Sequence, residues 1–138
     1  MIDKAFIDTN ILVYLYSNSE KQKQSIAKIL IFEKELEIVV STQVLSEFTN
    51  ILYKKYGYSI DTIKKAIADF KNNFSISSVS TKTIDRALGL MKTYKYSYWD
   101  SLIMASAIEN NCPILYSEDF QHNQSLEKKL KIVNPFKS

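Results

Sequence analysis

Four acids stand where the chain changes character. Asp8 follows a short apolar run, Ala5-Phe6-Ile7, and precedes a helical segment. Glu47 lies among Val44, Leu45, Phe48, Ile51 and Leu52, which recur at helical spacing. At 100° per residue it falls about 40° from Ile51, on the flank of the apolar stripe. Asp100 sits in the first turn of a segment that is apolar almost all round, from Trp99 to Ile108. Asp119 follows Pro113-Ile114-Leu115-Tyr116 by three residues. Singly, each has an ordinary reading. Asp8 suits a helix N-cap, Ser97 and Asp100 match an S-x-x-D capping signal, Glu47 suits a solvated helix charge, and Asp119 suits a turn. Their joint placement is the signal, because three of them map to one edge of a parallel sheet, where α/β folds gather ligands.

If the four carboxylates converge, their charge dictates the chemistry. At separations of about 6 Å and an effective dielectric of about 20, each pair repels by about 3 kcal/mol. Such a cluster either takes up protons or holds a cation. Oxygen-only donors select hard ions, Mg²⁺ or Mn²⁺, over zinc. A hard divalent ion lowers the pKa of bound water and neutralises charge on a phosphoryl oxygen. The reaction indicated is metal-assisted phosphodiester hydrolysis. It needs no histidine, and the chain has only His122, through which any triad or His-based metal site would have to pass. A single cysteine, Cys112, excludes an intramolecular disulfide and a zinc site built on several thiolates.

Elements that would position these acids are legible along the chain. With 46% hydrophobic and 24% charged residues among 138, a packed core is expected, and residues 1–138 read as a single domain. The net charge of +3 permits a polyanionic partner without demanding one. The longest apolar run, Ile11–Tyr16, is far short of the roughly 18–20 residues of a membrane span. Met1-Ile2-Asp3-Lys4 does not open a signal peptide. A cytoplasmic protein with no membrane association is expected. Strands are expected at Ala5-Phe6-Ile7, Glu37-Ile38-Val39-Val40, Phe74-Ser75-Ile76-Ser77, Pro113-Ile114-Leu115-Tyr116 and Lys131-Ile132-Val133. A helix from Ser19 to about Glu35 should turn Ile26, Ile29, Leu30 and Ile31 to one side. Ser41 or Thr42, Ser59, Ser80 and Ser97 each open a further helix, and Gly57 closes one. This alternation predicts an α/β layer fold around a parallel sheet.

At these residues the chain resembles the PIN-domain ribonucleases, in particular the VapC-type toxins of bacterial and archaeal toxin–antitoxin pairs. Phe6-Ile7-Asp8-Thr9-Asn10-Ile11-Leu12-Val13-Tyr14 is similar to the family's opening strand and Asp-Thr-Asn motif. Ser46-Glu47-Phe48, Trp99-Asp100-Ser101-Leu102-Ile103 and Leu115-Tyr116-Ser117-Glu118-Asp119-Phe120-Gln121-His122 resemble the second, third and fourth motifs, in order. Two departures stand out: Ser101 where Ala is commoner, and Asn123 where Gly often follows. Asn tolerates a left-handed backbone best after Gly, so the turn should survive. The resemblance implies a three-layer α/β/α sandwich around a parallel sheet of four to five strands. It implies that Asp8, Glu47, Asp100 and Asp119 are catalytic and surround one or two Mg²⁺ or Mn²⁺ ions, with Asp8 and Asp100 as direct ligands. Asn10 and Ser117 would hold the acids and the substrate phosphate in place, and Thr9 would cap the helix. The implied function is a metal-dependent endoribonuclease toxin that cuts RNA. The implied partners are a cognate antitoxin, whose C-terminal segment covers the acid pocket, and a second copy in a homodimer.

Other features carry less. Lys54-Lys55, Lys64-Lys65 and Lys128-Lys129-Lys131 are solvated faces, some of which are candidates for RNA phosphate contacts. Tyr94, Tyr96, Tyr98 and Trp99 are expected to pack in the core, with stacking of one ring on an unpaired base as the functional alternative. Ile11, Leu12, Tyr14 and Leu15 are expected in the core rather than in a groove for a partner helix, and His122 is expected to bond locally. Two other enzyme or signalling readings fit poorly. A haloacid-dehalogenase-type phosphatase wants a second Asp where Asn10 stands, and a receiver wants a phosphoacceptor Asp where Ser77-Ser78 stand. A degenerate, non-catalytic PIN-like binding module is the remaining alternative.

Overall fold

The computed structural model describes residues 3–137. Its centre is β1 (Asp3–Ile7), whose Ala5, Phe6 and Ile7 are fully buried. A strand covered on both faces needs such an unbroken apolar run. Around it lie β2 (Leu36–Ser41), β3 (Ser75–Ser77), β4 (Ile114–Tyr116), β5 (Ser125–Leu126) and β6 (Leu130–Val133), in the order β3-β2-β1-β4-β6-β5. Pairings are parallel from β3 through β6, with Phe6 opposite Val39 on one side and Leu115 on the other. From β1 the chain steps outward to β2 and β3, then returns to place β4 on the opposite side of β1. The strand order therefore reverses between β1 and β4, and the crevice at their C-terminal ends is the switch point where ligands bind in such sheets.

Among the described residues six α-helices flank the sheet: α1 (Thr9–Tyr14), α2 (Lys21–Lys28), α3 (Thr42–Lys54), α4 (Ile60–Asn73), α5 (Thr81–Tyr94) and α6 (Tyr98–Glu109). Right-handed crossovers put α1–α4 on one face and α5 and α6 on the other. Packing follows that grouping: α1 meets α2 and α3, α3 meets α4, and α5 lies along α6. Ser41, Ser59, Ser80 and Ser97 cap α3, α4, α5 and α6 through their side chains, as their positions predict. Gly57 adopts the left-handed conformation (φ +68°) just after α3, and the Tyr58 N–H closes back on the Leu52 carbonyl at 3.0 Å. In α6 every residue from Ser101 to Ile108 is buried.

The parallel part of the sheet has the five strands expected, and β5 adds a two-residue antiparallel edge against β6. The turn joining them sets both Glu127 (φ 52°) and Lys128 (φ 56°) left-handed, a hairpin geometry that Gly or Asn usually announces. Two expectations need correction. The second helix spans Lys21–Lys28 and widens into a π-helical turn at Ile29–Glu33, which leaves Ile29 48% exposed rather than on the apolar side. Trp99 does not join the core; it is 61% exposed.

Candidate functional site

Asp8 lies at the switch point. It follows β1 and caps α1, its Oδ1 accepting a hydrogen bond from the Thr9 N–H at 2.7 Å. Its Oδ2 accepts another from the Ser117 hydroxyl, also at 2.7 Å. The side chain is only 6% exposed, and burial pushes its pKa up to about 7 against the two hydrogen bonds; the negative charges of Asp119 and Glu47 add to the rise. Both carboxylate oxygens are thus fixed in direction while the charge they carry is uncompensated.

Thr9 is the first residue of α1 and not its cap, which corrects the expectation from the resemblance. Its hydroxyl donates to Glu47 Oε1 at 2.6 Å, tying α1 to α3. Gln43, one turn before Glu47, donates to Glu47 Oε2 at 3.4 Å and to the Trp99 carbonyl at 3.1 Å. Asp100 stands in the first turn of α6, its N–H bonded to the Ser97 hydroxyl at 3.1 Å. Among the described residues its carboxylate has no hydrogen-bond partner.

Asp119 sits at the mouth. Asn10 Nδ2 donates to its Oδ2 at 3.1 Å, and its own N–H donates to Ser117 Oγ at 3.1 Å. Its pKa is raised, by partial burial first and then by the negative charges of Glu118, Asp100 and Glu47. Ser117 is therefore a buried link between Asp8 and Asp119. Next to it, the Tyr14 hydroxyl and Lys23 Nζ (2.9 Å) both bond Glu118, which anchors the segment after β4 to α1 and α2. Sequence reasoning missed this anchor, and it missed Gln43, although its place four residues before Glu47 puts both on one helix face. His122 bonds locally, its Nδ1 accepting from the Asn134 N–H at 3.0 Å. Asn123 is left-handed, as its substitution for Gly predicts.

The structure brings Asp8, Glu47, Asp100 and Asp119 to the wall of one pocket of about 260 Å³, with Thr9 and Asn10 beside them. Ser117 supports the pocket from behind, through Asp8. None of the described lining residues is Lys or Arg. Among the described residues, no three His, Cys, Asp or Glu side chains are already gathered into a cage for an ion. Like charges that share a pocket repel, so a spread arrangement is the one expected of four acids without a cation between them. The donor chemistry nonetheless fits a hard divalent ion: all four side chains offer oxygen, and Asp8 is a buried carboxylate with no positive partner among the described residues. A larger groove of about 850 Å³ lies elsewhere, between α3 and α4, and is mostly apolar.

A model of the PIN domain family matches residues 5–124. Among solved structures, a toxin–antitoxin complex from Klebsiella pneumoniae is similar at 22% identity and a TM-score of 0.72, over 97% of this chain and 99% of that one. VapC20 of Mycobacterium tuberculosis, described as a sarcin-ricin loop cleaving toxin, is similar at 21% identity and a TM-score of 0.70, over 83% of this chain and 89% of that one. VapBC2 of Rickettsia felis, bound to a promoter DNA fragment, is similar at 18% identity and a TM-score of 0.66, over 95% and 99% of the two chains. No curated protein matches the chain. At these identities the structural likeness is one of fold.

Proposed function

The chain belongs to the PIN-domain family, and from that premise we propose that it is a metal-dependent endoribonuclease acting as the toxin of a toxin–antitoxin pair. One observation carries the proposal: carboxylates from four separate segments line a single pocket at the sheet's switch point. Asp8, Asp100, Glu47 and Asp119 would hold Mg²⁺ or Mn²⁺, which when bound supplies an acidified water and neutralises charge on a phosphoryl oxygen. The rest is the work of the chain's own groups. The Thr9 N–H and the Ser117 hydroxyl aim the two Asp8 oxygens. The Thr9 hydroxyl aims Glu47 and Asn10 aims Asp119. Asp8, with its pKa at about 7, gives up its proton readily once positive charge enters the pocket.

Three partners belong to this reading: an RNA substrate, a cognate antitoxin and a second copy of the chain in a homodimer. An RNA substrate accords with the loop-cleaving toxin named above. Two of the similar structures are toxins with their antitoxins, which supports the second. The homodimer rests on the resemblance alone. Residues 1–138 act as one domain in the cytoplasm; among the described residues no helix is long and apolar enough to cross a membrane.

Asp8→Asn and Asp100→Asn are expected to abolish RNA cleavage while circular dichroism stays that of the wild type. Full cleavage by either variant, or by the wild type in excess chelator, defeats the metal mechanism. The alternative reading is a non-catalytic PIN-like binding module. A Mg²⁺ titration followed by thermal melting separates the two: a rise in Tm with ion concentration supports the nuclease, and no shift supports the module.

A further inference from the structure

Beside the acid pocket lies a second cleft, of about 540 Å³, that the proposed chemistry leaves unused; the two share Gln43, Glu47 and Trp99. Trp99 is the anomaly in its helix. It lies in the first turn of α6, just before the buried run Ser101–Ile108, yet remains 61% exposed, a large apolar surface left in water. The indole is nonetheless held. The Tyr98 ring meets it edge to face, with centroids 5.1 Å apart and an interplanar angle of 66°. Gln43 Nε2 ties the Trp99 carbonyl to α3 at 3.1 Å. The cleft is walled by these two aromatic rings, by apolar Val79 and Leu102, and by the hydroxyls of Thr42 and Ser46.

Resting on the ribonuclease reading of the acid pocket, we propose that this cleft is a nucleobase subsite, in which an unpaired base flanking the phosphate at the acids stacks on Trp99. Every base has a π face, so a fixed and accessible indole accepts one without needing its sequence. The shared walls place the cleft where the next base of the same strand arrives once its phosphate is seated. The polar groups suit a base edge as well. Gln43 spends its amide N–H groups on Glu47 and the Trp99 carbonyl, which fixes the wall that the two pockets share. Thr42 Oγ1 accepts from the Val79 N–H at 3.2 Å, so its own proton is available to a ring nitrogen or carbonyl.

Trp99 is the chain's single tryptophan, so its fluorescence reports on this cleft alone. The experiment titrates Asp8→Asn protein, in Mg²⁺, with a short single-stranded RNA and with the same strand made abasic. Saturable quenching by the base-bearing strand and little by the abasic one is expected. Binding of a labelled strand by anisotropy should weaken about 5- to 150-fold in Trp99→Ala and much less in Trp99→Phe. Equal quenching by both strands, or unchanged affinity in a Trp99→Ala protein with wild-type circular dichroism, overturns the subsite. Trp99→Ala in the otherwise wild-type chain separates this inference from the reading beneath it. Divalent-dependent RNA cleavage that is indifferent to Trp99→Ala removes the subsite and keeps the nuclease. Base-dependent quenching by a protein that cuts no RNA keeps the subsite and removes the nuclease.

Discussion

Ser117 and Asp8, 109 residues apart in the chain, are joined by a buried hydrogen bond of 2.7 Å from Oγ to Oδ2. The bond crosses from the end of β4 to the end of β1, the two strands that flank the switch point. The same Oγ accepts the Asp119 N–H, so one hydroxyl sets two of the four acids. Ser117→Ala removes both contacts and leaves an oxygen of a buried carboxylate without its donor. The expected cost is about 1–3 kcal/mol in denaturant unfolding. A Mn²⁺ affinity lower by about 10–100-fold should accompany it in a direct binding titration. Wild-type values for both quantities would mean that Ser117 only fills space.

The burial of Asp8 makes stability depend on pH in a direction opposite to that of a salt-bridged acid. Its pKa rises from 3.8 to about 7 in the fold, so folding favours the protonated form. The contribution of Asp8 to stability is therefore full below about pH 4 and is lost as pH rises through about 7. A shift of that size corresponds to about 4 kcal/mol at most. Asp8→Asn, which carries no charge, should match the wild type near pH 4 and surpass it progressively toward pH 8, both in chelator. Saturating Mg²⁺ should stabilise the wild type at about pH 8 more than the variant, which keeps only three of the four acids. Unfolding curves at several pH values check the sign. A wild-type advantage that grows with pH in chelator would contradict it.

Thr9 offers a separable test of positioning. Its hydroxyl holds Glu47 Oε1 at 2.6 Å, and Thr9 itself is 5% exposed. Thr9→Val keeps the shape and removes the donor. Activity or ion affinity should fall about 10–100-fold, as when partners of metal-binding groups are lost. Thr9→Ser should restore most of it. If Thr9→Ser is as impaired as Thr9→Val, the methyl packing of Thr9 is what matters.

The path from sequence to this site was open in places and closed in others, for physical reasons. Asp8, Asp100 and Asp119 were legible because strand ends and capping serines are local signals, and the parallel sheet carries their C-terminal edges to one side. The apolar run of β1 and the stripe of α3 needed only periodicity. The role of Thr9 was not legible, since a Thr after an N-cap Asp carries no mark of a partner 38 residues away. Trp99 read as core because its neighbours from Ser101 onward are core; only the third dimension turns the first turn of α6 outward. The π-helical turn at Ile29–Glu33 breaks the 3.6-residue period on which the reading of Ile29 relied. The hairpin between β5 and β6 was hidden because its two left-handed positions carry Glu127 and Lys128.

That hairpin is also a place where stability can rise without touching the site. Lys129 N–H bonds the Leu126 carbonyl at 2.9 Å across Glu127 and Lys128, both left-handed, which is the geometry of a type I′ turn. A non-glycine residue in this region costs roughly 1–2 kcal/mol through the clash of its Cβ with the following carbonyl. Glycine has no Cβ, but it also leaves the unfolded chain freer, which offsets part of the gain. Lys128→Gly should therefore raise stability by a net of about 1 kcal/mol or less. The Arg86–Glu127 pair, at 3.4 Å and exposed, is left in place and is worth little in either case. Lys128 does not line the acid pocket, so cleavage of a short RNA should be unchanged. A loss of RNA affinity that vanishes at high salt would instead assign Lys128 to phosphate contact. Parallel unfolding and binding measurements on the one variant decide between the two.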